Sequence, residues 1–217
     1  MFFLTGEIME NYLTLTSSSE GYYEEKRSRF ISAVIPCCSE EKVSEIMAEI
    51  KSKYWDARHN VYAFILRDGT ARFSDDGEPH GTAGKPVFDV LMGSGLQDVL
   101  VVVTRYFGGV LLGTGGLVRA YSSAARDAID NAQAVEMCQC VTYTIACPYP
   151  DHQRLERLIE DCFGSIENCE FAVDVTVTVS FKLEHCDDFL NKLRENFSAR
   201  LIAIEISRDF SAFSFKK

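Results

Sequence analysis

The sequence lacks the segments that would place a protein in or across a membrane. No stretch of its 217 residues approaches the ~18 consecutive apolar residues of a membrane-spanning helix. Its start, MFFLTGEIME, has neither the basic region nor the long apolar stretch of a secretion signal. We therefore expect a cytoplasmic protein that does not bind membranes.

An excess of positive charge is also missing. The chain has 22 Lys and Arg residues against 32 Asp and Glu residues, which gives a formal net charge of -10. Because such a chain repels nucleic acid overall, any anion-binding role requires a local cationic patch. The 47% hydrophobic and 12% aromatic content is that of a folded globular protein.

The eight cysteines lack the spacings of metal or redox sites. None forms a Cys-x-x-Cys pair, and none stands near histidines at zinc-finger spacing. Most lie inside apolar runs, so we interpret them as buried, reduced core residues of a cytosolic protein rather than disulfide partners. We predict neither a metal nor a cofactor.

Strand and helix patterns alternate in the first part of the chain. Their order is β-α-β-β-α-β-α, with elements at residues 29–37, 39–54, 60–66, 70–76, 86–93, 97–107 and 117–132. The near-continuous apolar run in QDVLVVVTRYF predicts a strand buried on both faces. A boundary between residues 131 and 140 gives a first domain of residues 1–135.

The second part, residues 136–217, repeats nothing from the first. Strands and helices are predicted in the order 140–147, 150–163, 169–181, 184–197 and 200–206. The letters SIEN before the long strand either begin that strand or form its hairpin partner. With that extra strand the order becomes β-α-β-β-α-β, which is typical of a ferredoxin-like domain. The whole chain is therefore predicted to be α+β.

Residues 104–121, TRYFGGVLLGTGGLVRAY, concentrate the glycines. A dinucleotide-binding fingerprint starting at Gly113 would need glycine where Val118 stands, and a P-loop starting at Gly108 would need lysine where Thr114 stands. What remains is a strand, a glycine loop and a helix N-terminus, which favours an anion. Two interpretations stay open, an anion-binding loop or glycines that serve only packing and turn geometry.

The helix after this loop carries a polar row. Arg119, Ser122 and Arg126 lie at i, i+3 and i+7, away from the apolar face, and together could meet an anion. Alternatively, Arg119 and Arg126 are solvated or pair with Asp127 and Asp130.

A second cluster is FSDDGEPHGTAGKP, residues 73–86. It offers carboxylate and imidazole groups but lacks the register of a calcium loop. The competing interpretation is an ordered turn, in which acidic side chains accept backbone N–H groups near the next helix start. We favour the turn.

No residue stands out as a catalyst. Ser122 and Ser123 lack the elbow of serine hydrolases, and the four histidines show no spacing that identifies a base. His59 is better interpreted as a structural hydrogen-bonding residue. Tyr106 and Phe107 could stack on bases, although aromatic residues on a buried strand usually belong to the core.

FSDDGEPHGTAGKP followed by VVVTRYFGGVLLGTGGLVRAY resembles the central signature of the Impact/YigZ family. ARHNVYAF and KRSRFIS also resemble family segments, so the resemblance covers residues 25–130, and the second part is similar to the C-terminal domain of bacterial members. His80 departs from the family, which more often has a small residue there. The matching signature residues are Asp75, Asp76, Gly77, Glu78, Gly81, Arg105, Gly108, Gly109, Gly113, Gly115, Gly116 and Arg119.

The resemblance implies a fold and a role. It implies a first domain like domain 2 of ribosomal protein S5 and a ferredoxin-like second domain similar to those of elongation factors. Eukaryotic members regulate translation by competing for the activator of an initiation-factor kinase, and bacterial members have been proposed to bind nucleic acid or the translation machinery. No catalytic activity is established for the family.

Three functions follow as hypotheses. The first is a non-catalytic regulator linked to translation, which binds RNA, the ribosome or a translation factor without DNA sequence specificity. The second is a nucleotide-binding enzyme of the S5-like small-molecule kinase type, and the third is a pure protein-docking module. The anion-binding surface of the first hypothesis comprises Lys85, Arg105, Gly108, Gly109, Gly113, Gly115, Gly116, Arg119 and Arg126.

Overall fold

The computed structural model of the protein describes residues 11–214. The chain divides into two compact units, residues 12–136 and residues 137–213. Each unit has its own antiparallel sheet and its own apolar core. The described residues contain five helices, so the predicted α+β class is confirmed. None of those helices is long and apolar enough to cross a membrane.

The N-terminal unit is built on a five-stranded sheet in the order β2-β3-β6-β4-β5, with antiparallel neighbours throughout. Its elements are β1 (Tyr12–Leu15), β2 (Ser19–Glu25), β3 (Ser28–Pro36), α1 (Glu40–Lys53), β4 (His59–Ile65), β5 (Ala71–Ser74), α2 (Gly84–Ser94), β6 (Val99–Tyr106) and α3 (Gly113–Asp130).

The central strand β6 is buried on both faces, as its apolar run predicted. On one face Val101 and Val103 belong to the main core under α2 and α3. On the other face Leu100 and Val102 join a smaller cluster beneath α1. Two-sided burial here comes from helices on both faces of an antiparallel sheet.

In the sheet of the C-terminal unit, β7, β9 and β8 are neighbours in that order, and β10 also pairs with β7. Its elements are β7 (Ala134–Cys147), α4 (Tyr149–Asp161), β8 (Ser165–Phe171), β9 (Val175–Lys182), α5 (Leu183–Asn196) and β10 (Ala203–Ser214). Alternate residues of β9 are buried, because one face of the sheet packs on the core. Tyr143, Phe181 and Phe189 form an aromatic cluster in that core.

Three sequence predictions differ from the structure. The sequence did not predict β1, whose four residues are too few to show a period, or β2, whose mostly polar residues show little hydrophobic alternation. The predicted strand over residues 169–181 is instead the hairpin of β8 and β9. Helix α3 begins at Gly113 and not at Leu117, so three of the glycines lie in its first turn.

The cysteines fit the sequence interpretation in part. All eight are thiols, and six are buried among apolar residues. Cys169 is half-buried and packs against the C-terminal core, whereas Cys38 is exposed and does not serve as a core residue.

Candidate functional site

Asp75 in the signature turn organises the start of α2. Its carboxylate accepts hydrogen bonds from the backbone N–H groups of Gly81 (2.9 Å), Ala83 (3.1 Å) and Gly84 (2.8 Å). Burial by itself raises the pKa of Asp75, but the three donors and His80 outweigh it, so the pKa lies below its usual value. The ordered-turn interpretation therefore describes Asp75.

The next two residues hold the turn against β4. Asp76 and Gly77 both have left-handed backbone angles, with φ of 41° and 85°. The Asp76 carboxylate accepts the backbone N–H of Asn60 (2.6 Å), and its carbonyl oxygen lies 2.8 Å from Nδ1 of His59. His59 thus has the structural role that the sequence favoured.

Glu78 turns inward and meets a buried arginine. Its Oε1 accepts hydrogen bonds from Arg105 Nη1 (2.5 Å) and from the Tyr121 hydroxyl (2.9 Å), and it lies 3.9 Å from Nε2 of His59. The Arg105 and Glu78 side chains are only 8% and 4% exposed. Burial first, and then the Glu78 charge, raise the pKa of Tyr121, which stays a neutral donor. We call Glu78, Arg105, Tyr121 and His59 the buried polar network.

Arg105 therefore faces inward, although the anion-binding surface predicted from the sequence includes it. Its guanidinium lies 5.5 Å from the ring centroid of Phe30 and 5.7 Å from that of Phe107. Its Nε is buried and has no hydrogen-bond partner among residues 11–214. The arginine is thus paired through Nη1 but not fully satisfied.

The glycine loop serves the packing of a hairpin turn. A Cβ on Gly108 would lie 2.1 Å from the backbone carbon of Arg27, so only glycine fits at this point. The N–H of Gly108 donates to the Ser28 hydroxyl (3.1 Å). Gly109 has φ of 85°. Gly108 thus packs the end of β6 against the β2–β3 turn, and Gly109 provides the left-handed backbone conformation that follows.

The other three glycines of the predicted surface lie in α3. Gly113 and Gly115 are exposed, whereas Gly116 is buried beside Leu112. No side chain caps the N-terminus of α3, whose cap position is Leu112. The backbone N–H groups of this first turn therefore donate no hydrogen bond to the side chain at the cap position.

The predicted cations do not all meet. Lys85, Ser122 and Arg126 line one groove between α2 and α3, with Asp89 and Asp130. Lys85 pairs with Asp89, one turn along α2. Arg105 is not part of this groove, because it is buried in the polar network.

Two arginines of α3 are left for a ligand. Arg119 and Arg126 are exposed and form no ion pair with any residue that the structure describes. The expected alternative partner Asp127 instead accepts the backbone N–H of Tyr22 (2.8 Å). We call the exposed side of α3 that carries Arg119, Ser122 and Arg126 the α3 face.

Three further arginines surround Arg105 at the end of β6. A cleft of about 420 Å³ is lined by Arg27, Arg29, Asp56, Arg58, Arg105, Tyr106 and Phe107, and we call it the arginine cleft. Its members come from three separate segments of the chain, so no contiguous sequence motif contains them all. The sequence signal that could have indicated it is KRSR, which contains a two-residue hairpin turn, Lys26 and Arg27, rich in basic residues.

Metal ligation finds no support in the signature turn. Within residues 11–214 no three His, Cys, Asp or Glu side chains lie close enough to hold an ion. His80 is fully exposed, and its Nδ1 lies 3.6 Å from Asp75.

These features define a class: a two-unit α+β protein whose signature residues form a structural polar network. Residues 26–129 match the Impact N-terminal domain, and residues 145–200 match a domain of unknown function, DUF1949. The resemblance stated from the sequence is confirmed, and the chain belongs to the IMPACT family.

Two bacterial relatives match along most of the chain, and a eukaryotic one matches a shorter part. "IMPACT family member YigZ" of Escherichia coli is 35% identical over 203 residues, which cover 91% of this chain and 100% of the relative. An "IMPACT family member" of Haemophilus influenzae is 33% identical over 89% of this chain and 96% of the relative. "Protein IMPACT" of Mus musculus matches over 94 residues only, 41% of this chain and 30% of that protein, at 33% identity.

A solved structure has a homologous fold. The crystal structure of a hypothetical protein aligns with a TM-score of 0.60 and 33% sequence identity. The alignment covers 92% of this chain and 98% of that chain.

Proposed function

We propose that the protein is a non-catalytic binding protein linked to translation, which binds RNA or an RNA-containing particle such as the ribosome through its N-terminal unit. It acts in the cytoplasm, where its eight thiols stay reduced. The resemblance to a family with translation regulators supports the link to translation.

The observation that carries the proposal is that the acidic signature residues are already occupied by hydrogen bonds within the protein. Glu78 is occupied by Arg105 and Tyr121, and Asp75 by three backbone N–H groups. No nucleophile stands beside a free base in this cluster, so the arrangement supports a rigid platform and not a reaction centre. Arg119 and Arg126 are exposed beside it and suit an anion.

The proposed architecture follows the resemblance as well. We propose domains at residues 1–135 and 136–217, the first like domain 2 of ribosomal protein S5 and the second ferredoxin-like. The β7-α4-β8-β9-α5-β10 order, with β7 and β9 in the centre of their strand order, supports the ferredoxin-like assignment.

Affinity purification from the native cell at low salt tests the function. We expect ribosomal RNA or other RNA to co-purify with the protein. Nuclease treatment should release the other proteins that co-purify through that RNA. A protein complex that survives nuclease would instead identify a docking module. Recovery of neither RNA nor a protein complex would overturn the proposal.

The α3 face is tested by removing its two free charges. Arg119→Ala with Arg126→Ala should weaken ribosome co-sedimentation and make it less sensitive to salt. Arg157→Ala with Arg194→Ala, two exposed arginines of the C-terminal unit, is the charge-matched control. Arg105→Ala is unsuitable here, because it leaves Glu78 buried without its cation. Equal loss in the two double variants would remove the α3 face from the proposal.

A second candidate function rests on the N-terminus of α3. The glycine-rich first turn without a side-chain cap is a geometry that accepts phosphate, as in nucleotide-binding enzymes. Calorimetry with ATP and magnesium tests it directly. Absence of heat at millimolar nucleotide would eliminate the kinase-like alternative.

A further inference from the structure

The arginine cleft concentrates positive charge that the protein itself does not neutralise. Arg27, Arg29 and Arg58 are exposed and form no ion pair within the described part of the chain. The one carboxylate in the lining, Asp56, accepts a hydrogen bond from the Tyr106 hydroxyl (2.7 Å). Because the chain as a whole is acidic and Glu78 already neutralises Arg105, the three remaining arginines of the lining point to an anionic ligand.

Arg105 supplies an independent indication at the same place. The residue is 7% exposed and lines the cleft, yet its buried Nε–H has no acceptor among the described residues. A buried donor without an acceptor is unfavourable and is rare in native proteins. An anion in the cleft is the kind of group that would satisfy it.

The hairpin turn beside the cleft has an unusual sequence for its geometry. Glu25 pairs with Ser28, so Lys26 and Arg27 form a two-residue turn, and both have left-handed φ, 48° and 65°. Such turns strongly prefer Asn-Gly, since most side chains are strained there. Two cations held in this conformation, with Gly108 against the turn, indicate a functional reason for the strain.

Aromatic side chains border the same arginines. Phe107 is 49% exposed and lies across from the Arg105 guanidinium. Trp55, which is 83% exposed, comes one residue before Asp56 of the lining. Arginines that follow a phosphate backbone and exposed rings that stack on bases are the features of single-stranded nucleic-acid sites.

We propose that the arginine cleft binds single-stranded RNA, with phosphates on Arg27, Arg29 and Arg58 and a base on Phe107. The inference rests on the proposed function only in taking RNA as the ligand class. It assigns binding to a surface different from the α3 face. An A-form duplex keeps its bases stacked, so it cannot use the ring of Phe107.

Fluorescence anisotropy with a labelled oligouridine, measured over a range of salt concentrations, tests the site. Arg27→Ala with Arg58→Ala should weaken binding and reduce the slope of log affinity against log salt by about 1.4, because each single-strand phosphate contact contributes about 0.7. Arg157→Ala with Arg194→Ala removes the same charge elsewhere and should leave the slope unchanged. Equal slopes in the two double variants would overturn the proposal.

Two further measurements address stacking and folding. Phe107→Ala should lower affinity for oligouridine about tenfold, the effect of losing one stacked base. Lys26→Asn with Arg27→Gly gives the turn its preferred residues, so the melting temperature should hold or rise while RNA affinity falls. Unchanged affinity in the turn variant contradicts the site, and its retained fold removes misfolding as a cause.

The outcomes separate this site from the proposed function. If wild-type protein binds a duplex RNA as tightly as oligouridine, or binds neither, the cleft is not a single-strand site. The Arg119→Ala and Arg126→Ala variant could lose oligouridine binding while the cleft variant binds as tightly as wild type. That result would place RNA on the α3 face and overturn the proposal for the arginine cleft. RNA recovered from cells would still support the proposed function in each of these cases.

Discussion

The cores of the two units differ in their content of buried polar residues. The N-terminal core encloses a charged pair, Arg105 and Glu78, together with buried Asn60 and Thr104. The C-terminal core cluster contains aliphatic, aromatic and cysteine residues. Among the described residues, every buried Ser, Thr, Asn, Glu or Arg lies between residues 14 and 105, in the N-terminal unit. Buried polar networks require specific geometry, whereas an apolar core tolerates substitution if its volume is kept.

Of the changes that test this difference between the cores, breaking the pair of Arg105 and Glu78 should have the largest effect on stability. Glu78→Ala should destabilise the protein by about 3 to 5 kcal/mol, because it leaves the Arg105 charge buried and uncompensated. Glu78→Leu with Arg105→Met should recover much of that loss, since it removes both charges. Urea unfolding of the single and double variants measures the coupling, and additive losses would contradict a coupled pair.

The matched change in the C-terminal unit is a large-to-small substitution. Phe189 is fully buried, and its ring centroid lies 4.1 Å from that of Phe181. Phe189→Ala should lower the free energy of unfolding by about 3 to 5 kcal/mol. Phe189→Leu should cost much less, because an apolar side chain of similar size refills the space. Hydrogen exchange should show the loss of protection in residues 137–213. A similar cost for both variants would show that this core also depends on specific geometry.

A smaller effect is expected where the glycine loop meets the hairpin turn. Gly108→Ala should destabilise the N-terminal unit by about 1 to 3 kcal/mol, because its Cβ would collide with the Arg27 backbone. Gly115→Ala is the control, since an added Cβ there meets no atom within 4 Å. In a helix that control should stabilise by up to about 1 kcal/mol. Thermal unfolding distinguishes the two, and equal effects would contradict the close approach.

The smallest effect concerns acid stability. Because the folded-state pKa of Asp75 is lowered, its carboxylate stabilises the fold fully above the pKa of an unfolded aspartate, about 4. That contribution is lost as pH falls through the lower folded-state pKa.

Asp75→Asn should therefore reduce stability at neutral pH and flatten the acid side of the stability curve. Exposed Asp187→Asn on α5 is the control, and it should not change the curve's shape. Parallel curves for wild type and the Asp75 variant would contradict the capping role.

Local patterns were sufficient for most elements. The helix predicted over residues 39–54 is α1, which buries Val43, Ile46 and Met47 on one face and begins after Ser39, whose side chain accepts the N–H of Lys42. The SDD-G-E turn was interpreted as a capping turn from its residue types alone. The sequence did not predict strand β2, because its mostly polar residues show no hydrophobic periodicity that distinguishes a strand from a loop.

The sequence by itself determined the α+β order, the family and the location of the signature residues, because these depend on short-range periodicity and on contiguous residues. Only the tertiary structure decided which arginines are free. Arg105 and Arg119 stand fourteen positions apart in one glycine-rich segment, yet Glu78 holds the first in the core and the second is exposed. The arginine cleft was invisible for the same reason: β3, β4 and β6 bring its cations together across the sheet, and pairing between distant strands is set by long-range packing.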